Sequence, residues 1–398
     1  MNQISDLREP FAGERQDGIS DYCRDLFSGF ARSDQRRWGE VYLRGLLHVP
    51  GRRTPANISE KVLGRRMVQP IQQFVNQSTW RYDSVRRFLA ERASTLKAPE
   101  AWAFDEVVFP KNGTRSAGVG RQFVGSAGRV MNCQLGMATS MVHGESCLPV
   151  NWHLMLPRHW DDDHELRSSA HVPQHERHRP RWSYVLESLD EILEWDVPDA
   201  PVLANWSYEP QVEQLLLGLE ERGFSYVVEV GASTLLPVGA GPRQPAARRV
   251  PAAEVVQGMR GWSERAVLAR PDGREGKTRH SHFMIGALAA PRPGMRHAPR
   301  HLVVEWPFGR QQPRSYWMTN LPPDRLADTV ALAELRHHVG RSHDRLHEEY
   351  GLGDFEGRSF RGWHHHVTLA SAALGFHRLQ ELEAEFLGDE EERYLREA

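Results

Sequence analysis

Three apolar runs follow one another between residues 100 and 160 with no helical stretch between them, and from residue 183 the pattern changes to helix, strand, helix, strand. The first three are AFDEVVF, bounded by Pro110 and Gly113, then VMNCQLGMATSMV and CLPVNWHLML. Short apolar runs punctuated by Pro and Gly read as strands. SYVLESLDEILEW is an amphipathic helix, PVLANW a strand, VEQLLLGLEERG a helix ending on Gly223, and YVVEVG a strand. Strands joined directly can pair antiparallel through tight turns, whereas strands separated by helices can pair in parallel through the crossover. The combination predicts an α/β fold built on one mixed sheet. Residues 232–300 are rich in Pro, Gly and Arg, have weak periodicity, and read as an insertion. Beyond it HLVVEWPF and SYWMTN are strands again, LADTVALAELRHHV opens a long helix, and GWHHHVTLASAALGF is another.

Ahead of the sheet, residues 18–95 read as helices, beginning with an apolar stripe at 19, 22, 26, 27 and 30. The organisation predicted is an N-terminal helical domain over 1–97, a second domain over 98–377, and an acidic helical tail over 378–398. The net charge of the 398 residues is -2, which does not suggest a strong DNA binder. The charge is uneven, however. Residues 1–100 carry 17 Lys and Arg against 12 Asp and Glu, and residues 341–398 carry 13 acids against 7 bases. A modest basic surface is therefore expected in the N-terminal part. No apolar run of eighteen residues occurs, so no membrane span is expected. MNQISDLREP has neither a basic start nor the apolar stretch of a secretory signal. Cys23, Cys133 and Cys147 are too few and too odd in number for a disulfide framework, and point to a reduced cytoplasm.

Several blocks together resemble one family. FDEVVFPKNGTRSAGVGRQFVGSAGRVMNCQ resembles the first catalytic block of insertion-sequence transposases of the 701 group, where an Asp at a strand end is followed by Phe-Pro-Lys and a Gly-rich turn. LPVNWHLMLPRHWDDDHELR resembles that group's next block, and VLANWSYEPQVEQLLLGLEERGFSYVVEV its second catalytic block. GLGDFEGRSFRGWHHHVTLASAALGF is similar to the block after the third catalytic residue, and LFSGFARSDQRRWGEVYLRGLL to the N-terminal helices. The resemblance runs in order along almost the whole chain. It implies a DDE-superfamily, ribonuclease H-like mixed sheet with an N-terminal helical domain and an inserted segment before the last catalytic helix. It also implies transfer of DNA phosphodiesters, with three carboxylates holding two divalent ions.

Carried over position by position, that triad is degenerate. The first Asp corresponds to Asp105. The second falls at the end of the PVLAN strand, where this chain has Asn205, and Tyr208 with the following helix fixes the register. The third is a Glu on the long helix. Counting back from Gly351-Leu352-Gly353, the family-typical Arg matches Arg336, the Glu position is Gly340, and the family's Lys is His347. Glu334, Glu348 and Glu349 lie off that register, while Asp344 sits one turn beyond Gly340 on the same face and is the candidate substitute. One carboxylate in place of three predicts no two-metal site and no strand transfer.

Further candidates each have a plainer reading. Asp105, His343, Asp344 and His347 could hold a transition metal, but a hydrogen-bonded histidine pair is the simpler account. The same holds for His171, His175 and His178 in a polar loop. His364, His365 and His366 are expected to be structural, Cys133 a buried small residue, Trp80 a core anchor, and Asp161-Asp162-Asp163 a solvated loop. Arg65, Arg66, Arg81, Arg86, Arg87 and Arg336 are the candidate DNA contacts. The expectation is a catalytically inactive, domesticated DNA-binding or regulatory protein needing no cofactor, with DNA as partner and a homodimer left open. Two alternatives stand beside it. One is an active transposase using a displaced carboxylate with Mg²⁺ or Mn²⁺; the other is a transposase fold repurposed as an enzyme on a non-nucleic-acid substrate.

Overall fold

The computed structural model describes residues 18–209, 212–238, 248–258, 265–271, 278–289 and 299–397. Five helices open the chain: α1 (Ile19–Leu26), α2 (Ser33–His48), α3 (Pro55–Leu63), α4 (Val68–Asn76) and α5 (Tyr82–Leu96). The first 17 residues of the N-terminal assignment lie outside the described residues. Helix bounds follow local chemistry. The Thr54 hydroxyl accepts a hydrogen bond from the Asn57 amide, Pro55 takes the first turn, and Gly64 ends α3 at φ 65°.

The sheet follows with β1 (Ala101–Pro110), β2 (Gly120–Val124), β3 (Arg129–His143), β4 (Ser146–Met155), β5 (Val202–Trp206) and β6 (Tyr226–Val230). β3 pairs antiparallel with β1, β2 and β4, and β1 and β6 flank β5 in parallel. Three long antiparallel strands, β1, β3 and β4, with the short β2 added beside β3, lead into two parallel strands, the ribonuclease H-like order that the resemblance implies. Between β4 and β6 the chain forms α6 (His159–Asp162), α7 (His164–Ser169), α8 (Arg181–Leu193) and α9 (Val212–Glu221). A small ribbon, β7 (Leu235–Val238) with β8 (Arg248–Pro251), precedes α10 (Ala252–Gly258).

The sheet then grows antiparallel beyond β6 through β12 (Ser315–Thr319), β11 (His301–Pro307), β10 (Thr278–Ala287) and β9 (Arg265–Pro271). The 232–300 segment, an insertion by sequence, thus lends two strands to the main sheet. β10 alternates exposed His280 and His282 with buried Ser281, Phe283 and Ile285. Such a one-faced strand has no continuous apolar run to announce it.

Two helices complete the chain, α11 (Leu326–Glu349) and α12 (Phe360–Glu397). α11 lies on one face of the sheet, against Ala103, Leu203, Val227, Val303 and Trp317. α8 and α9 belong to the core of the other face. The acidic tail is the far end of α12, and its side chains from 389 onward lie outside the described residues. No helix among the described residues is long and apolar enough to cross a membrane.

Every residue of α12 from Gly362 to Phe376 is buried. The helix contacts α2, α4 and α5 as well as β4, so the N-terminal helices and the sheet share one hydrophobic cluster. Small residues allow the close approach; a Cβ added at Gly375 would stand 2.9 Å from Leu89. The histidines, Thr368 and Ser371 on this buried length are all engaged, while the Trp363 indole N–H has no hydrogen-bond partner. The His365 ring nitrogens lie 2.8 and 3.0 Å from the carbonyls of Val75 and Trp80, the neutral ring donating to one of them, and the ring stacks 3.7 Å from Trp80. His366 bonds the carbonyls of Gly351 and Leu352 and the Tyr42 hydroxyl. These are the backbone contacts expected of the triple histidine.

Arg86 corrects the sequence reading. The sequence groups it with the DNA-contacting arginines, yet it is 3% exposed on the inner face of α5. Its guanidinium donates to Thr368 Oγ1, Asn151 Oδ1 and the Trp152 carbonyl, and meets His364 Nδ1 at 3.0 Å. Burial pulls its pKa down to about 10, so it remains charged at neutral pH. In sequence it stands beside exposed Arg87, and only the side of the helix that packs tells them apart. Arg86→Met removes the donor from four acceptors inside the core and should cost about 3–5 kcal/mol in denaturant unfolding, at roughly 1–3 kcal/mol for each neutral group left unsatisfied. A loss under about 1 kcal/mol, of the size typical of a surface arginine, would contradict this placement.

Burial holds His365 and His366 down to about 4, the accepting carbonyls only partly opposing it. Both rings are therefore neutral in the folded chain, whereas an unfolded histidine titrates near ~6.5. The folded state binds fewer protons. The stability these rings contribute is complete above pH ~6.5 and is lost as pH falls toward about 4. Urea midpoints should drop between pH 7 and pH 5 by an amount worth on the order of a few kcal/mol. The drop should be shallower in His365→Gln.

Candidate functional site

β1 crosses the middle of the sheet, and alternation sends Asp105 to the α11 face while Glu106 points to the other, where it pairs with Arg181 at 2.7 Å. Phe104 is in register with Ala204, which places Asp105 and Asn205 next to each other on neighbouring parallel strands. Asn205 is in turn in register with Glu229 on β6. The sheet therefore presents Asp105, Asn205 and Glu229 as a row on the face that α11 covers.

α11 supplies the other wall. Arg336, Gly340, His343 and His347 recur at spacings of four, three and four, so they share the side of the helix turned to this row. Arg336 Nη2 meets Asp105 Oδ1 at 3.2 Å, and its Nη1 lies 3.6 Å from Glu229 Oε2. One guanidinium thus bridges two carboxylates. Burial pushes Glu229 above the ordinary carboxylate range, with Arg336 opposing. Asn205 is turned back on its own strand end: its Oδ1 accepts from the Ser207 amide at 3.0 Å and the Ser207 hydroxyl at 2.8 Å. Gly340 is exposed, and a Cβ there would meet nothing within 4 Å.

The transition-metal set considered at this end does not assemble. Asp105, His343, Asp344 and His347 are not gathered as donors within 4.8 Å of one another. His343 is buried against Trp152, its ring 6.1 Å away, and burial lowers its pKa. His347 is half-buried against Phe109, and Asp344 is exposed. His171, His175 and His178 also fail to gather; His178 instead bonds the Leu156 carbonyl.

Sequence reasoning missed Glu229. The signal was available: a single charge inside the apolar run YVVEV, in the strand after the one carrying Asn205. Arg336 also stands elsewhere than expected. The sequence counts it among the DNA contacts, but its charge is directed inward to Asp105 and Glu229.

The remaining candidate DNA contacts are exposed. Arg65 and Arg66 follow the αL turn at Gly64, and no ion pair involves them among the described residues. Arg81 pairs with Asp83 and Arg87 with Glu91, which offsets part of their charge. Trp80 is buried on His365 and Phe74, as a core anchor, and Cys133 is buried within β3.

A sequence model described as DDE superfamily endonuclease matches residues 25–268. No curated protein matches the chain. The matched segment contains α2 to α5, Asp105, Asn205 and Glu229, and ends before α11. It spans more than half of the 398 residues and coincides with the sheet order described above. On that match the chain belongs to the DDE superfamily endonuclease family.

Proposed function

We propose that this protein retains a transposase-like frame as a DNA-binding or regulatory protein and has lost two-metal strand transfer. The observation that carries the reading is the Arg336 guanidinium set between Asp105 and Glu229. Two divalent ions bring four positive charges and need several anionic oxygens around them. The row offers two carboxylates, one guanidinium already bound to both, and an amide committed to Ser207. At Gly340 there is no side chain at all. This donor set does not fit a pair of divalent ions, and no catalytic step is derived through them.

One observation favours a second reading, an active enzyme with a displaced carboxylate. Glu229 is in register with Asn205 and faces the same cleft, so it is better placed than exposed Asp344 to replace a lost acid. Plasmid nicking in Mg²⁺ or Mn²⁺ separates the two. The unmodified chain should nick no faster than Asp105→Ala. Joint Asn205→Asp and Gly340→Glu substitution should add Mn²⁺ binding that is lost again on further Asp105→Ala substitution, whereas either change alone should add none. The open space at residue 340 accepts the longer side chain, and removing a helix glycine gains up to about 1 kcal/mol. Nicking by the unmodified chain that disappears in both Asp105→Ala and Glu229→Gln would establish the active reading instead.

DNA binding is assigned to the N-terminal helices. Replacing Arg65, Arg66, Arg81 and Arg87 together by Gln should weaken binding and flatten its dependence on log salt, by roughly 0.9 for each phosphate that is no longer neutralised. Arg65 and Arg66 should dominate, because neither is held in an ion pair among the described residues. An unchanged salt slope in the folded quadruple variant would move the interface elsewhere.

A further inference from the structure

On the sheet face away from Asp105, a histidine and two glutamates converge from different elements. His153 lies on β4 in register with Met137, and Met137 with Glu106, so its side chain shares the face of Glu106 that α8 covers. Glu187 and Glu191 stand one turn apart on α8 and face His153. One donor atom from each of the three lies within 4.8 Å of the others. His153 is only 9% exposed, and its Nε2 has no hydrogen-bond partner. That nitrogen is 3.6 Å from Glu191 Oε2, while Nδ1 is 3.9 Å from Glu187 Oε2. A buried imidazole set between two carboxylates, its Nε2 facing Glu191 without a hydrogen bond and its Nδ1 facing Glu187 at 3.9 Å, is an arrangement that an ion would complete.

We propose that His153, Glu187 and Glu191 bind one divalent transition-metal ion of the Zn²⁺ or Mn²⁺ kind. An imidazole beside two carboxylates suits such ions, whereas Mg²⁺ and Ca²⁺ prefer oxygen alone. Metal bonds of about 2.1 Å would set tetrahedral ligand atoms roughly 3.4 Å apart, so a small side-chain closure suffices. The surroundings orient the donors. Asn151 Nδ2 donates to Glu191 Oε2 at 2.6 Å and to Ser188 Oγ at 2.9 Å, while buried Arg86 holds the Asn151 oxygen. Outer hydrogen bonds of this kind fix ligand geometry.

Charge favours a cation in spite of nearby guanidiniums. The site opens into a cavity of about 200 Å³ whose lining includes five carboxylates, of Asp83, Glu176, Glu187, Glu191 and Glu194, with Arg86 as the one guanidinium among them. A second guanidinium, Arg179, reaches Glu187 Oε2 at 2.7 Å and also pairs with Glu176. A carboxylate has about four lone-pair positions, so Glu187 keeps capacity for an ion while holding Arg179. The partly exposed glutamates give an entry path from solvent.

The test is calorimetric titration of the chelator-stripped full chain with Zn²⁺, Mn²⁺ and Mg²⁺, with metal content measured after dialysis. One tightly held Zn²⁺ or Mn²⁺ per chain is expected, with Mg²⁺ far weaker. His153→Gln and Glu187→Gln should each lower affinity about tenfold or more, since even the groups that merely orient metal ligands matter on that scale. Asp105→Asn should leave uptake unchanged, which separates this site from the cleft under α11. Should His153→Gln fail to fold, Glu187→Gln, at a half-exposed position, decides the matter. Absence of uptake, or uptake indifferent to Glu187→Gln and Glu191→Gln, would overturn the site and leave His153 an ion-paired histidine. Uptake lost only in Asp105→Asn would overturn it in favour of the cleft.

Discussion

A helix with no solvent-facing side for fifteen residues persists only if nearly all the polar groups it brings inside find partners, and α12 is such a helix between Gly362 and Phe376, with the Trp363 indole N–H as its exception. The rest of the molecule is organised around that requirement. His365 closes the turn between α4 and α5 with its ring nitrogens set against the Val75 and Trp80 carbonyls. His366 does the same for Gly351 and Leu352 at the end of α11. His364 and Thr368 receive Arg86 from α5, and Arg86 continues to Asn151 and Trp152 on β4. Neutral imidazoles suit this role at His364 and His366, where one ring nitrogen accepts, from Arg86 or from the Tyr42 hydroxyl, without the desolvation cost of a charge, while the neutral His365 ring donates to one of its two carbonyls. A single buried guanidinium on α5, with its donors met from α12 and β4, ties the N-terminal helices to the sheet.

The two faces of the sheet carry different chemistry for a simple geometric reason. Alternation along β1 sends Asp105 one way and Glu106 the other. On the α11 side, acids from β1 and β6 are joined by Arg336, and the register brings Asn205 between them. On the α8 side, Glu106 answers to Arg181, and further along the sheet His153 confronts Glu187 and Glu191. The cation is in place on the first side. On the second, acids outnumber bases around the cavity and a histidine nitrogen lacks a partner.

Much of this was legible in the chain. Three strands in succession followed by helix and strand in alternation specified the mixed sheet, since hydrophobic periodicity reports which faces must be buried. The positions of Asp105, Asn205 and Gly340 could be read from motif spacing. The adjacency of Asp105 and Asn205 on β1 and β5 follows once the strands are known. Burial of Trp80 and Cys133 followed from residue type. β9 and β10 were not legible, because a strand with one polar face, followed by segments rich in Pro and Gly, resembles loop until its neighbour is in place.

Charged residues show where sequence stops. Arg86 and Arg87 are adjacent, and one is core while the other is surface. Arg336 could be matched to a family-typical arginine, yet its bond to Asp105 spans 231 positions and its ion pair with Glu229 joins α11 to a strand more than a hundred residues earlier. His153, Glu187 and Glu191 are separated by an entire loop and helix start, with no motif spacing to flag them. The sequence by itself determined most of the elements and their order, because these depend on local periodicity and residue identity. Tertiary structure alone decided which charges are buried, which acid accompanies Asp105, and which donors converge, because electrostatic partners are selected by distance in space and by access of water.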